Sequence, residues 1–204
     1  MNIGIIMAGF GGQGVMSMGQ VVCYAGLEEG KEVSWLPSYG PEMRGGTANC
    51  TVVVSDEPVG SPIVSRPDAI IIMNRPSLDR FESSLKPGGI MVINTSLCDQ
   101  EPSRKDVRVV RIPATDMANE LGNIRVANMV ALGAFLAIEP VVKVDSIVQA
   151  LQEHLPEHQR KHVPLNKKAL EAGVARAREQ MTRLGVSPGT FGESGPDVSS
   201  QREP

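Results

Sequence analysis

The residues best suited to chemistry stand near the N-terminus, where Gly9-Phe10-Gly11-Gly12-Gln13-Gly14 has the spacing Gly-x-Gly-x-x-Gly. Between a strand and a helix, glycines at this spacing permit a tight turn. They also let a ligand's phosphates reach the N–H groups at the helix start. Dinucleotide binding would further need an acid at the end of the second strand, to grip a ribose. Here that strand closes on Leu36-Pro37-Ser38, and the nearest acid, Glu42, lies in the following loop. Two readings therefore stand side by side, ahead of NAD binding: phosphate or cofactor binding, and a turn needed only for strand–helix packing or subunit contact. The second chemical stretch is Ser38-Tyr39-Gly40-Pro41-Glu42-Met43-Arg44-Gly45-Gly46. The planar fork of Arg44 suits a phosphate or a carboxylate. Alternatively, Glu42 and Arg44 pair with charges on a neighbouring chain across Tyr39 and Met43, or clamp their own turn.

The remaining candidates are weaker. His154, His158 and His162 recur every four residues, the spacing of metal ligands on one helix face. Pro156 breaks that helix, and Glu157, Arg160 and Lys161 mark a solvated segment, so a polar linker is expected. Cys23, Cys50 and Cys98 are far apart and contain no Cys-x-x-Cys, which leaves no conventional zinc or iron–sulfur pattern. Cys23 reads as a packing cysteine. Asn128, inside an uncharged helix, must satisfy its amide and is expected to bond the glycine turn or a nearby loop. No Ser–His–Asp, paired-carboxylate or Walker pattern is present.

The elements that would position these groups follow from periodicity. Ile3–Ala8 reads as a strand buried on both faces, Val15–Gly30 as a helix, and Glu32–Leu36 as a strand stopped by Pro37. Thr47–Ser55 alternates as a strand, and Asp56-Glu57-Pro58 predicts an antiparallel hairpin returning around Val59. Ala69–Met73, Ile90–Asn94 and Val107–Ile112 supply further strands. Pro76–Leu85 reads as a helix, and Thr115 is expected to cap a short helix ending at Leu121. Val126–Ile138 carries no charge and predicts a buried helix. Apolar stripes at Val144–Leu155 and Leu170–Leu184 predict two more. The result is an α/β fold: a Rossmann-like, mostly parallel sheet with helices on both faces, an antiparallel hairpin and a helical C-terminal part. Residues 1–184 form one expected domain, and the Gly-, Pro- and Ser-rich 185–204 a flexible tail.

A hydrophobic fraction of 41% and a charged fraction of 21% are ordinary for a globular chain. The net charge of −3 argues against a nucleic-acid binder. No Lys or Arg precedes Lys31, so no leader is expected. The uncharged Val126–Ile138 falls short of the ~20 residues of a membrane span. Unpaired cysteines suit a reducing compartment, and a cytoplasmic location is expected.

Several ordered motifs together resemble the gamma subunit of 2-oxoacid:ferredoxin oxidoreductases. They are Gly-Phe-Gly-Gly-Gln-Gly-Val at 9–15, Tyr-Gly-Pro-Glu-Met-Arg-Gly-Gly at 39–46 and Ser-Asp-Glu-Pro-Val-Gly-Ser-Pro at 55–62. Met73–Leu78, Gly122–Met129 and Asn166–Gly173 continue the likeness. The intact loop at 39–46 looks most like the 2-oxoglutarate (KorC-like) branch, with the branched-chain (ketoisovalerate) branch next. The resemblance implies a complex that decarboxylates a 2-oxoacid oxidatively, passes electrons to ferredoxin and places the acyl group on coenzyme A. It implies partner alpha and beta subunits, with a delta (ferredoxin-like) subunit as an optional third. Thiamine diphosphate, Mg and the iron–sulfur clusters would be held by those chains, with none bound by this chain alone and no catalytic residue or metal in it. Gly9, Gly11, Gly12, Gln13, Gly14, Arg44, Gly45 and Gly46 would then face coenzyme A or a subunit interface, and Tyr39, Glu42, Met43 and Arg44 a neighbouring subunit. A noncatalytic scaffold that only docks subunits is the alternative, and a free-standing nucleotide-binding domain a third.

Overall fold

The computed structural model describes residues 1–39 and 47–183. Among these, six strands form one sheet: β1 (Asn2–Phe10), β2 (Glu32–Tyr39), β3 (Thr47–Ser55), β4 (Ala69–Ile72), β5 (Ile90–Asn94) and β6 (Arg108–Ile112). Their spatial order is β2-β3-β1-β4-β5-β6. The pairs β1–β4, β4–β5 and β5–β6 are parallel, whereas β3 runs antiparallel to both β1 and β2. The helices are α1 (Val15–Glu28), α2 (Arg75–Phe81), α3 (Ala114–Glu120), α4 (Ala127–Ile138), α5 (Val144–His154), α6 (Glu157–Arg160) and α7 (Val163–Arg183). No helix among the described residues is long and apolar enough to cross a membrane.

The apolar runs of β1 and β4 serve two cores at once, because alternate strand residues face opposite ways. Ile5, Met7 and Ile71 join the larger core with α1, α4, α5 and α7. Ile6, Ala8, Ile70 and Ile72 join a smaller one closed by Leu78 of α2 and by Leu85. Hence Ala-Ile-Ile-Ile shows no alternation in sequence: both faces are covered.

The lack of charge in α4 has the same cause. Sheet and α7 bury it on nearly every side, and Leu132 and Phe135 are fully buried. Burial of this kind stabilises by ~1.5–3 kcal/mol per large side chain. The two helices meet backbone to backbone. A Cβ at Gly133 would fall 2.1 Å from the Leu170 carbonyl oxygen, and one at Gly173 would fall 2.0 Å from that of Val130.

Four sequence expectations need correction. The strand Glu32–Tyr39 runs through Pro37, because β2 is an edge strand and an edge residue needs no outward N–H. The antiparallel hairpin joins β2 to β3 and does not lie near Asp56; residues 56–68 hold no strand. Asp56 instead binds the N-terminal amine and Lys31. The helix expected over Pro76–Leu85 ends at Phe81 and tightens into a 3₁₀ turn at Glu82–Ser84. Thr115 caps nothing: Pro113 precedes α3, and the Thr115 hydroxyl accepts from Asn94. The tail expected at 185–204 lies outside the described residues.

Candidate functional site

The parallel strands β1, β4 and β5 end along one edge, and α1 and α2 depart from it to opposite faces of the sheet. Open α/β sheets place ligands at such a divergence. Here it is spanned by side-chain amides. The Gln13 side-chain oxygen accepts from Phe10 N–H at 2.6 Å and from Asn74 Nδ2 at 3.3 Å, tying the turn to the end of β4. Asn74 caps α2, its Oδ1 accepting from Ser77 N–H at 3.0 Å. Asn94 Nδ2 donates to the Met73 carbonyl at 3.3 Å and to Thr115 Oγ1 at 2.9 Å. Asn74 and Asn94 are almost wholly buried, so these bonds repay their desolvation and fix the edge as one rigid rim.

On that rim the turn glycines differ. A Cβ at Gly9 would meet the Gln13 oxygen at 2.5 Å and Met73 Cβ at 2.9 Å. Gly14 has φ +72°, and a Cβ there would meet Asn128 Nδ2 at 2.5 Å. That amide donates to the Gly14 carbonyl at 3.1 Å, as the sequence leads one to expect. Gly9 and Gly14 are thus packing glycines. Gly12 has φ +96°, and a Cβ there would meet nothing within 4 Å. Gly11 and Gln13 flank it, half-buried. No side chain caps α1, and its first turn holds no acid, so no side chain of its own satisfies its leading N–H groups or offsets its positive dipole end.

Gly12, Gly14 and Ser17 open onto a cleft of about 620 Å³. Its far wall brings in Arg125, His158, Lys161 and His162, and among the described residues no Asp or Glu lines it. In a chain of net charge −3, this is a local cationic pocket at a helix start, suited to a polyanion. Across Gly12 lies a second, smaller cavity of about 140 Å³ beside Leu97 and Ile124.

An acid on a ribose, as dinucleotide binding needs, is absent among the described residues for a structural reason. Antiparallel β3 separates β1 from β2, which moves the end of β2 one strand away from the glycine turn. The loop that carries Gly40, Glu42, Met43, Arg44, Gly45 and Gly46 lies outside the described residues, as does the Tyr39 side chain. Its anchors are placed: Thr47 pairs with Phe10, and Ala48 pairs with both Gly9 and Tyr39. The loop therefore springs from the same edge as the glycine turn.

The histidines separate. The His154 ring stacks on Tyr24 at 3.8 Å, and its Nε2 lies 3.8 Å from Glu28 on the outer surface of α1 and α5. Glu28, Glu153 and His154 have ligand atoms within 4.8 Å of one another, whereas His158 and His162, read from sequence as a polar linker, line the cationic cleft. Burial pushes the Cys23 and Cys50 thiols up to about 12, so neither is a nucleophile at neutral pH. Both lie in the larger core and Cys98 in the smaller one, across the sheet, so the three cannot converge on one cluster. In the sequence Asn94 only ends a strand and Lys161 only marks a solvated segment. Asn74 and Arg125 stand out there only as members of the motifs Met73–Leu78 and Gly122–Met129.

The family model for pyruvate ferredoxin/flavodoxin oxidoreductase matches residues 4–176. Ketoisovalerate oxidoreductase subunit VorA of Methanothermobacter marburgensis is 38% identical over 180 residues, 88% of this chain but 37% of VorA, so the chain spans little over a third of that relative. 2-Oxoglutarate synthase subunit KorC of Methanocaldococcus jannaschii is 34% identical over 156 residues, covering 75% of this chain and 83% of KorC. Among solved structures, the gamma subunit of a keto/oxoacid ferredoxin oxidoreductase from Geobacter sulfurreducens aligns at 30% identity and TM-score 0.74, over 87% of this chain and 99% of that one. The 2-oxoglutarate:ferredoxin oxidoreductase of Magnetococcus marinus, solved with 2-oxoglutarate, coenzyme A and succinyl-CoA, aligns at 26% identity and TM-score 0.79, over 87% of this chain and 31% of that one. With a family match that runs from β1 well into α7, this α/β chain belongs to the pyruvate ferredoxin/flavodoxin oxidoreductase family.

Proposed function

We propose that this chain is the gamma subunit of a 2-oxoacid:ferredoxin oxidoreductase, that its complex acts on 2-oxoglutarate, and that its cationic cleft receives the phosphates of coenzyme A. The reaction consumes a 2-oxoacid and coenzyme A, releases carbon dioxide and acyl-CoA, and delivers two electrons to ferredoxin. The observation that carries the reading is the cleft at the start of α1, which Gly12, Gly14, Arg125 and Lys161 line together with no carboxylate among the described lining residues. Phosphates fit that chemistry, since the N–H groups, the dipole and the two cations act in the same sense. Gly12 leaves the approach open, because no Cβ stands between a phosphate and the backbone.

Three cysteines divided between the two cores suit a chain that leaves the iron–sulfur clusters and electron transfer to its partners. Thiamine diphosphate with Mg, which supplies the decarboxylation chemistry in such complexes, is assigned to those chains too. This chain holds the acyl acceptor in place, and Arg44 is expected to reach the same anion from its loop on the shared edge.

KorC matches along most of its own length, which favours 2-oxoglutarate. VorA has the higher identity and favours ketoisovalerate as the second reading. The test is steady-state kinetics of the purified complex. Arg125→Ala with Lys161→Ala should raise KM for coenzyme A about ten-fold, equivalent to ~1.4 kcal/mol, and leave KM for the 2-oxoacid unchanged. An unchanged coenzyme A dependence would remove the cleft assignment. A panel of 2-oxoacids decides the substrate.

A further inference from the structure

The small cavity across Gly12 differs in character from the cleft. Besides the exposed Leu97 and Ile124 it is lined by Met73 and Ala127, with Gln13, Thr115 and Arg125 as its polar members. Leu97 is 47% and Ile124 56% exposed, two of seven large hydrophobic side chains so exposed among the described residues. They come from distant parts of the chain, one after β5 and one before α4, yet flank one opening. The volume, about 140 Å³, is close to the ~150 Å³ of an apolar cavity that admits a benzene ring. Water is a poor occupant for such a socket, and one bulky apolar side chain is a good one. Three of its lining residues are tied down, because Asn74 donates to Gln13, and Asn94 donates to the Met73 carbonyl and to Thr115.

We propose, on the strength of the gamma-subunit reading, that this socket is where a catalytic subunit of the complex docks, by inserting one large apolar side chain between Leu97 and Ile124. The occupant is identified by what relatives carry in one polypeptide. This chain spans 37% of VorA and 31% of the Magnetococcus marinus chain, so a larger body of protein is joined to this domain there. The corresponding body of protein is the partner that the socket receives. Docked there, it would sit against Gly12 and roof the cationic cleft from one side, completing the coenzyme A site from two surfaces.

The experiment is co-expression of the tagged chain with the alpha and beta subunits of its own genome, followed by affinity capture. Wild type should retain both partners. Leu97→Asp with Ile124→Asp should lower retention about ten-fold or more, as loss of a central apolar anchor does. Ile63→Asp, still more exposed but at the amino end of the sheet near Asn2 and Asp68, should retain partners like wild type. Should the charged pair shift the melting temperature of the isolated chain, Leu97→Ala with Ile124→Ala reads the same loss without a buried charge. Full retention by either pair overturns the proposal. Failure of the wild type to retain any partner overturns the gamma-subunit reading instead, and the socket with it.

Discussion

Gly133 and Gly173 stand where the backbones of α4 and α7 touch, whereas a Cβ at Gly12 would meet nothing within 4 Å. The same residue type thus closes one region and opens another. Between the helices, a missing Cβ lets two carbonyl-lined surfaces meet and shields the larger core. At the turn, it leaves backbone N–H groups accessible beside a cationic wall. Gly14 stands between the extremes: it is open in φ but packed against Asn128. A glycine-rich motif is therefore no single signal, since neighbours within it can serve packing and ligand access.

The contrast is tested most severely at the closed end. Gly173→Val forces α7 away from the Val130 carbonyl and should destabilise the chain by about 3 kcal/mol or more, a fall in Tm of about 10 °C in a scanning melt. A near-wild-type melt would mean that the helix contact is loose. Next comes Gly14→Ala, which meets both an unfavourable φ and the Asn128 amide, and should cost about 2 kcal/mol. In an Asn128→Ala background the steric part disappears. Urea titrations of the four-variant cycle should therefore show a coupling of about 1 kcal/mol, and additive losses would deny the contact. Gly12→Ala carries only the backbone cost, about 1 kcal/mol, but should raise KM for coenzyme A in the complex; this ratio of small stability loss to large kinetic loss is the mark of an open glycine.

The smallest effect concerns pH and the closed region around Gly19, whose missing Cβ makes room for Cys50 Sγ. Burial pushes the Cys50 thiol from 9.0 to about 12. Above pH 9 the unfolded chain loses this proton while the folded chain keeps it, so stability falls as pH rises from 9 towards 12. Unfolding free energies from urea titrations at pH 8 and pH 10 should differ less for Cys50→Ala than for wild type, by on the order of 1 kcal/mol. Equal slopes would show that the thiol is not buried.

What could be read from sequence was local. β1, the turn and α1 follow one another without a gap, so a switch of hydrophobic period located all three. The buried state of α4 followed from its lack of charge. Features set by strand order were not legible. Whether Pro37 ends β2 depends on β2 being at the edge, and the place of the hairpin depends on β3 pairing with β1 as well as β2. Thr115 has the side chain of a cap, yet its partner is Asn94, 21 residues away. The cleft was hidden for the same reason: Gly12, Arg125 and Lys161 are neighbours only because α4, α5 and α7 pack on the sheet. Asn128 was legible because a buried amide must find a partner, and the nearby turn offered a carbonyl.

Pro37 has a further consequence. An edge strand of eight residues presents a row of backbone donors and acceptors to which another chain could add itself, lengthening the sheet without limit. A pyrrolidine ring in the middle of that row offers no hydrogen to an incoming strand and obstructs its approach. The β2 flank is thereby a poor template for strand addition, whereas the strand-end rim carries no such block.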